Sequence, residues 1–136
     1  MTSRAWFVDR YGGPERLVLR EREDPAPGPG EVLVRTAAVG LNFADLFTRA
    51  GVYPRTPKAP FVPGMEISGV VERLGSGVTG LGEGERVVAV PIFGGHAEKV
   101  VAPATHVFPI PAGVGLEEAA AVPVVFLTAH WSIEKG

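Results

Sequence analysis

The chain of 136 residues contains no cysteine, which removes disulfides, thiolate metal sites and cysteine nucleophiles together and leaves the redox compartment open. It has no excess of either charge, since 13 basic and 15 acidic residues give a formal net charge of −2. Without a basic stripe to meet a phosphate backbone, nucleic acid is excluded as a partner. Long hydrophobic runs are missing too. The longest apolar stretch, Ala119 to Trp131, is interrupted by Pro123 and His130 and falls short of the ~20 residues of a membrane span. It reads as a buried helix rather than an anchor. Arg4, Asp9 and Arg10 break up the N-terminus, which reads as a strand and not as a signal peptide. A cytoplasmic location is the default expectation.

What the chain does have is turn chemistry and small apolar runs. Hydrophobic residues make up 46% of it, enough for one core, and 18 glycines with 13 prolines punctuate short valine-rich and leucine-rich segments. That pattern predicts a mainly β fold, a small barrel or sandwich. Expected strands run over Arg4 to Asp9, Arg16 to Glu21, Glu31 to Val39, Ile67 to Leu74, Arg86 to Pro91, His96 to Ala102 and Val107 to Ile110. Between them, Asn42 as a cap, Phe43, Leu46 and Phe47 at helical spacing, and Gly51 as a stop predict a helix over Phe43 to Ala50. Acids after Gly115 predict a short helix there, and Pro123 suits the start of another over Val124 to Lys135. The Asp24 to Gly30 bend is stiffened by its prolines and serves as a connection between strands.

Gly75-Ser76-Gly77-Val78-Thr79-Gly80 has the spacing of a dinucleotide fingerprint, but it lacks the context. The fingerprint works where a strand turns into a helix whose amides face a pyrophosphate. Here Leu81-Gly82-Glu83-Gly84-Glu85 and another valine-rich strand follow, so the segment reads as a hairpin loop.

Two further segments carry a family resemblance: Gly40-Leu41-Asn42-Phe43-Ala44-Asp45-Leu46 and Pro63-Gly64-Met65-Glu66-Ile67-Ser68-Gly69-Val70-Val71. With Gly51-Val52-Tyr53-Pro54, Gly95-His96-Ala97-Glu98 and Glu117-Glu118-Ala119-Ala120-Ala121, the chain resembles the N-terminal GroES-like catalytic domain of the zinc-free medium-chain dehydrogenases/reductases. Within that superfamily the closest pattern is that of the quinone oxidoreductases and zeta-crystallin. The resemblance implies a partly open GroES-like β-barrel over residues 1–123. It implies that residues 124–136 begin a helix leading to a nucleotide-binding Rossmann domain that these residues do not include.

The same resemblance implies an activity: transfer of a hydride from NADPH to a quinone or enone. Asn42 stands where zinc-dependent relatives carry a cysteine ligand, and Met65 where they carry a histidine. An amide and a thioether do not hold zinc, and the three histidines, His96, His106 and His130, lack metal-site spacing and read as surface or turn residues. Asn42 and Tyr53 are the implied catalytic residues. Asn42 and Thr128 would touch the cofactor, and Phe47, Tyr53 and Phe93 would line the substrate pocket. Against these stand plainer readings: Asn42 as a helix cap, Asp45 closing its capping box, Glu66 as a structural carboxylate bonded to backbone or an arginine, and the phenylalanines as core. Phe47 replaces a tyrosine of the best-known quinone reductases. The parent is expected to be a homodimer, and these residues alone are expected not to turn over. The alternative expectation is a GroES-like interaction module without catalysis, whose apolar C-terminal helix seeks a partner.

Overall fold

In a computed structural model, which describes residues 1–135, those residues fold as two antiparallel sheets, three α-helices and two short 3-10 turns. β1 (Thr2–Val8) and β2 (Leu17–Glu23) pair as a two-stranded sheet, Thr2 opposite Glu23 and Val8 opposite Leu17. The second sheet has five strands, β3 (Glu31–Gly40), β4 (Glu66–Leu74), β5 (Arg86–Ala89), β6 (Lys99–Pro103) and β7 (Val107–Pro109), in the order β6-β3-β4-β5-β7. Every pairing in it is antiparallel, so the mainly β expectation holds. Prolines end β6 and β7, the two edge strands, where a missing N–H costs no ladder bond.

The sheet curls into a half-barrel because β3 and β4 slip register twice, between Leu33 and Val34 and between Thr36 and Ala38. Such bulges bend and twist a strand pair. Gly69 lies at this bend, and a Cβ there would sit 2.2 Å from the Arg35 carbonyl oxygen. The concave face is filled by Val32, Val34, Ile67, Val71, Val87 and Val100, each no more than 2% exposed. Ala5–Ala97 and Val8–Phe61 bridges tie β1 to loops of the larger sheet. Residues 75–85 connect β4 to its antiparallel partner β5, so the glycine-rich motif is the hairpin loop that its context predicts.

The helices are α1 (Phe43–Ala50), α2 (Leu116–Ala120) and α3 (Pro123–Lys135). α1 has the predicted bounds and ends at Gly51, whose left-handed φ of 79° is a glycine conformation. α2 lies on β3 and β4, where buried Ser68 donates its hydroxyl to the Leu116 carbonyl at 2.6 Å. Strand ends lie within three residues of expectation, and those at Glu31, Leu74, Arg86 and Val107 coincide with it. His96 is a clear correction, since it precedes β6 instead of opening it.

A second correction concerns Ala119 to Trp131. The stretch is broken between α2 and α3, and within α3 only Pro123 is buried. Val125, Phe126, Leu127 and Trp131 are exposed, so this is not the buried helix its hydropathy predicts. Gly136, the last residue of the expected 124–136 segment, lies outside the described residues.

Candidate active site

α1 buries its polar side. Asp45 and Thr48 face inward, while Phe43, Leu46 and Phe47 face outward. A surface helix ordinarily does the reverse, so the interior here must supply polar partners. Asn42 occupies the N-cap position but makes no side-chain cap. Its backbone N–H instead donates to Asp45 Oδ2 at 2.9 Å, the half of a capping box that Asp45 is expected to close. This leaves the Asn42 amide free for another task. Its Nδ2 donates to Glu66 Oε1 at 2.8 Å.

Glu66 opens β4 and is 1% exposed. Its other oxygen, Oε2, accepts from the Val124 N–H at 2.7 Å, in the first turn of α3. A buried carboxylate is tolerated only when bonded, and the amide end of a helix is a favourable place for an anion. Glu66 thereby joins α1, β4 and α3 at one point. The bond to backbone agrees with the structural reading of this residue. Gly40 makes room for it: a Cβ there would lie 2.2 Å from Glu66 Oε1 and 2.5 Å from the Ala120 carbonyl oxygen.

Beside this junction is a pocket of about 390 Å³ lined by Tyr53, Arg55, Met65, Ile92, Phe93 and Val124. Tyr53 reaches it from the turn after α1, where its N–H donates to the Phe47 carbonyl at 3.3 Å. Phe93 reaches it from the loop after β5 and meets buried Phe61 edge-on, centroids 6.4 Å apart at 85°. Met65, 6% exposed, forms the floor. Two non-glycine residues among those described have a left-handed backbone, Arg55 at φ 63° and Ile92 at φ 70°, and both line this pocket. For a β-branched residue such as Ile92 that conformation is strained by about 1–3 kcal/mol. Strain of this kind gathers where a binding surface needs a particular backbone path.

The structure therefore brings Tyr53 and Phe93 together in one pocket, whereas Asn42, the other expected catalytic residue, lines a separate one with Leu41, Asp45 and His96. Phe47 is half exposed on α1, outside the lining of that pocket. Thr128 lies one turn beyond Val124, exposed, and its hydroxyl donates to the Val124 carbonyl at 2.6 Å. His96 sits in a bend before β6, one of the two placements expected of it, though not at the open surface. It is half-buried, and Gly64, at φ 106°, presses its backbone against the ring so closely that a Cβ would come within 2.5 Å of Cδ2. The glycines at 64 and 95, which let backbone approach, are the sequence signal that could have marked it. His130 is exposed and stands 3.2 Å from Glu134. Among the described residues no three histidine, aspartate or glutamate side chains gather to hold a metal, and no helix is long and apolar enough to cross a membrane.

A bulged antiparallel half-barrel, a capped helix and a buried glutamate opening the second long strand define a class, and residues 28–112 match the alcohol dehydrogenase GroES-like domain. The chain belongs to that family and is an N-terminal catalytic domain of the medium-chain dehydrogenase/reductase type. Its particular relatives are more specific. It is 45% identical over 130 residues to the synaptic vesicle membrane protein VAT-1 homolog of Danio rerio, covering 95% of this chain and 27% of that protein. It is 34% identical over 129 residues to the quinone oxidoreductase of Lama guanicoe, covering 93% of this chain and 39% of that one. The quinone oxidoreductase of Thermus thermophilus, solved also in complex with NADPH, superposes with a TM-score of 0.83 at 43% identity, over 97% of this chain and 40% of the other. The chain thus spans well under half the length of the relatives it matches.

Proposed function

We propose that this chain is the substrate-facing part of an NADPH-dependent, zinc-free reductase of quinones or enones. The observation that carries the reading is the pocket in which Tyr53 and Phe93 meet over buried Met65, with strained Arg55 and Ile92 on its rim. Its apolar walls suit a flat conjugated ring, and the Tyr53 hydroxyl suits a carbonyl oxygen that gains charge on reduction. When bound, NADPH supplies the hydride; the residues that hold it lie chiefly outside this chain.

Asn42 fits a supporting position. With Nδ2 committed to Glu66, its amide oxygen is the atom left to accept a ribose hydroxyl. Thr128 fits less well, because its hydroxyl is already donated to Val124. Phe93, held edge-on by Phe61, orients the ring of the substrate, and Tyr53 donates a hydrogen bond, then a proton, to the oxygen that becomes enol or hydroquinone. The Asn42 and Met65 pair stands where a zinc site would need stronger donors. Residues 1–123 form the half-barrel of this reading, residues 124–135 lead to the nucleotide-binding part, and the whole enzyme is a cytoplasmic homodimer.

A second reading rests on the exposed apolar side chains of α3, Val125, Phe126, Leu127 and Trp131. They suit a module that docks on a partner without catalysis. One experiment separates the two. This chain replaces the matching segment of the Thermus thermophilus enzyme, and NADPH oxidation is followed with 1,4-benzoquinone. Turnover in the chimera, absent from the 136 residues alone, is expected. A folded chimera that binds NADPH yet reduces no quinone or enone would overturn the reductase reading, and turnover by the isolated chain would overturn its dependence on further residues.

A further inference from the structure

Arg55 stands on the rim of the Tyr53 pocket, in the same turn that fixes Tyr53. Thr56 closes that turn: its N–H donates to the Tyr53 carbonyl at 3.1 Å and its hydroxyl to the same oxygen at 2.5 Å. Pro54 followed by a residue at φ 63° is the pattern of a type II turn, whose third position ordinarily takes glycine or asparagine. A long charged side chain is held there against the preference of the backbone. An exposed arginine is ordinarily just a solvated one, and solvation gains nothing from a strained position. Strain of this kind persists where a binding surface needs one particular side chain in one place.

The charge of Arg55 is not matched within the fold. None of the ion pairs or cation–π contacts among the described residues includes it. Arg49, Arg55 and Lys58 lie between Asp45 and Glu66 in sequence, and no acid does. Glu66, next to Met65 in the chain, is buried with both oxygens bonded to Asn42 and Val124. Apart from Arg55 and the Tyr53 hydroxyl, the side chains that line the pocket are apolar. A ligand there meets one fixed positive charge at an exposed rim and an apolar interior floored by Met65. The volume, about 390 Å³, falls within the about 300–1,000 Å³ of small-molecule sites. A guanidinium fork matches the oxygens of a carboxylate or sulfonate with two parallel hydrogen bonds, and a neutral ring gains nothing from it.

We propose that this pocket selects flat conjugated rings that carry a carboxylate or sulfonate, with the anion paired to Arg55 at the rim and the ring lying over Met65. The inference rests on the reductase reading for the identity of the ring as a quinone or enone, and it is tested by binding, without turnover. The chain has two methionines, and their methyl signals are followed by NMR: Met65 on the pocket floor and Met1, 98% exposed, as internal reference. The probes are naphthalene-2-sulfonate and naphthalene-2-sulfonamide, which share a ring and differ in charge. The expected result is a saturable shift of Met65 alone, with the sulfonate binding about twofold to fivefold tighter, the range of an exposed charge pair. That preference should shrink in about 0.5 M salt. Arg55→Asn, which suits a left-handed backbone and keeps the turn, should abolish the preference and leave sulfonamide affinity unchanged, and Arg55→Lys should restore part of it. Equal binding of the two probes, a preference that survives in Arg55→Asn, or no saturable response of Met65 would overturn the proposal. A chimera that reduces quinone while the two probes bind equally defeats this inference alone. A chimera that reduces none while the preference stands defeats the reductase reading alone.

Discussion

Asn42 and Glu66, 24 residues apart in sequence, are joined by a 2.8 Å hydrogen bond from an amide to a fully buried carboxylate. The same carboxylate holds the Val124 N–H at 2.7 Å. Glu66→Ala therefore orphans two donors at once. At about 1–3 kcal/mol for each buried unpaired group, the variant is expected to lose about 2–5 kcal/mol in urea unfolding, with Asn42→Ala losing less.

Gly40→Ala probes the same junction from β3. The added Cβ collides with Glu66 Oε1 and with the Ala120 backbone, so one must move. Overpacking of this kind costs about 1–3 kcal/mol. Thermal unfolding should show a lowered Tm for Gly40→Ala and almost no change for Gly82→Ala, whose Cβ would meet nothing.

The strained pocket rim gives a stability change of opposite sign. Ile92 sits at φ 70°, where glycine is unstrained, so Ile92→Gly should stabilise the chain by up to about 1 kcal/mol or leave it unchanged, despite the lost side chain. Loss of the Ile92 side chain from the pocket should raise KM for the quinone in the chimeric enzyme. Tyr53→Phe in the same chimera should lower kcat by about 10-fold to 100-fold, the effect of one lost donor to a developing oxyanion.

A pH response is set by Lys99, whose Nζ stands 2.8 Å from Asp24 and 2.6 Å from Glu72. The hydrogen bond from Lys99 holds the Asp24 carboxyl below its usual range, against the effect of burial. A depressed carboxyl stabilises the fold above its unfolded pKa of about 3.9 and loses that contribution as pH falls through the folded value. Lys99 is raised, first by Asp24 and then by Glu72, so its share persists to strongly basic pH. Tm should be flat between about pH 7 and 9, fall as pH drops below about 6.5, where the unfolded chain protonates the histidine that burial keeps neutral in the fold, and fall again below about pH 4; Lys99→Met should lower the plateau and flatten the lower limb.

Much of the fold is legible because its signals are local. Gly51 ends α1 where a left-handed residue is needed, and prolines and glycines bound nearly every strand. The site is less legible because its signals are not. That Asn42 points at Glu66 and not at its own helix depends on Asp45 taking over the cap. That His96 is half-buried depends on Gly64, 32 positions earlier, coming against its ring. The exposure of α3 has the opposite cause: its apolar sequence predicts burial, but nothing among the described residues covers Phe126 or Trp131.

Glu66 also acts as a mechanical coupling. One oxygen is pinned by the side chain that faces the cofactor side in the proposed enzyme, and the other grips the first turn of α3. A swing of that helix pulls on the carboxylate, and the carboxylate turns the Asn42 amide. A displacement of α3 and the aim of the Asn42 amide would then be linked through a single buried side chain.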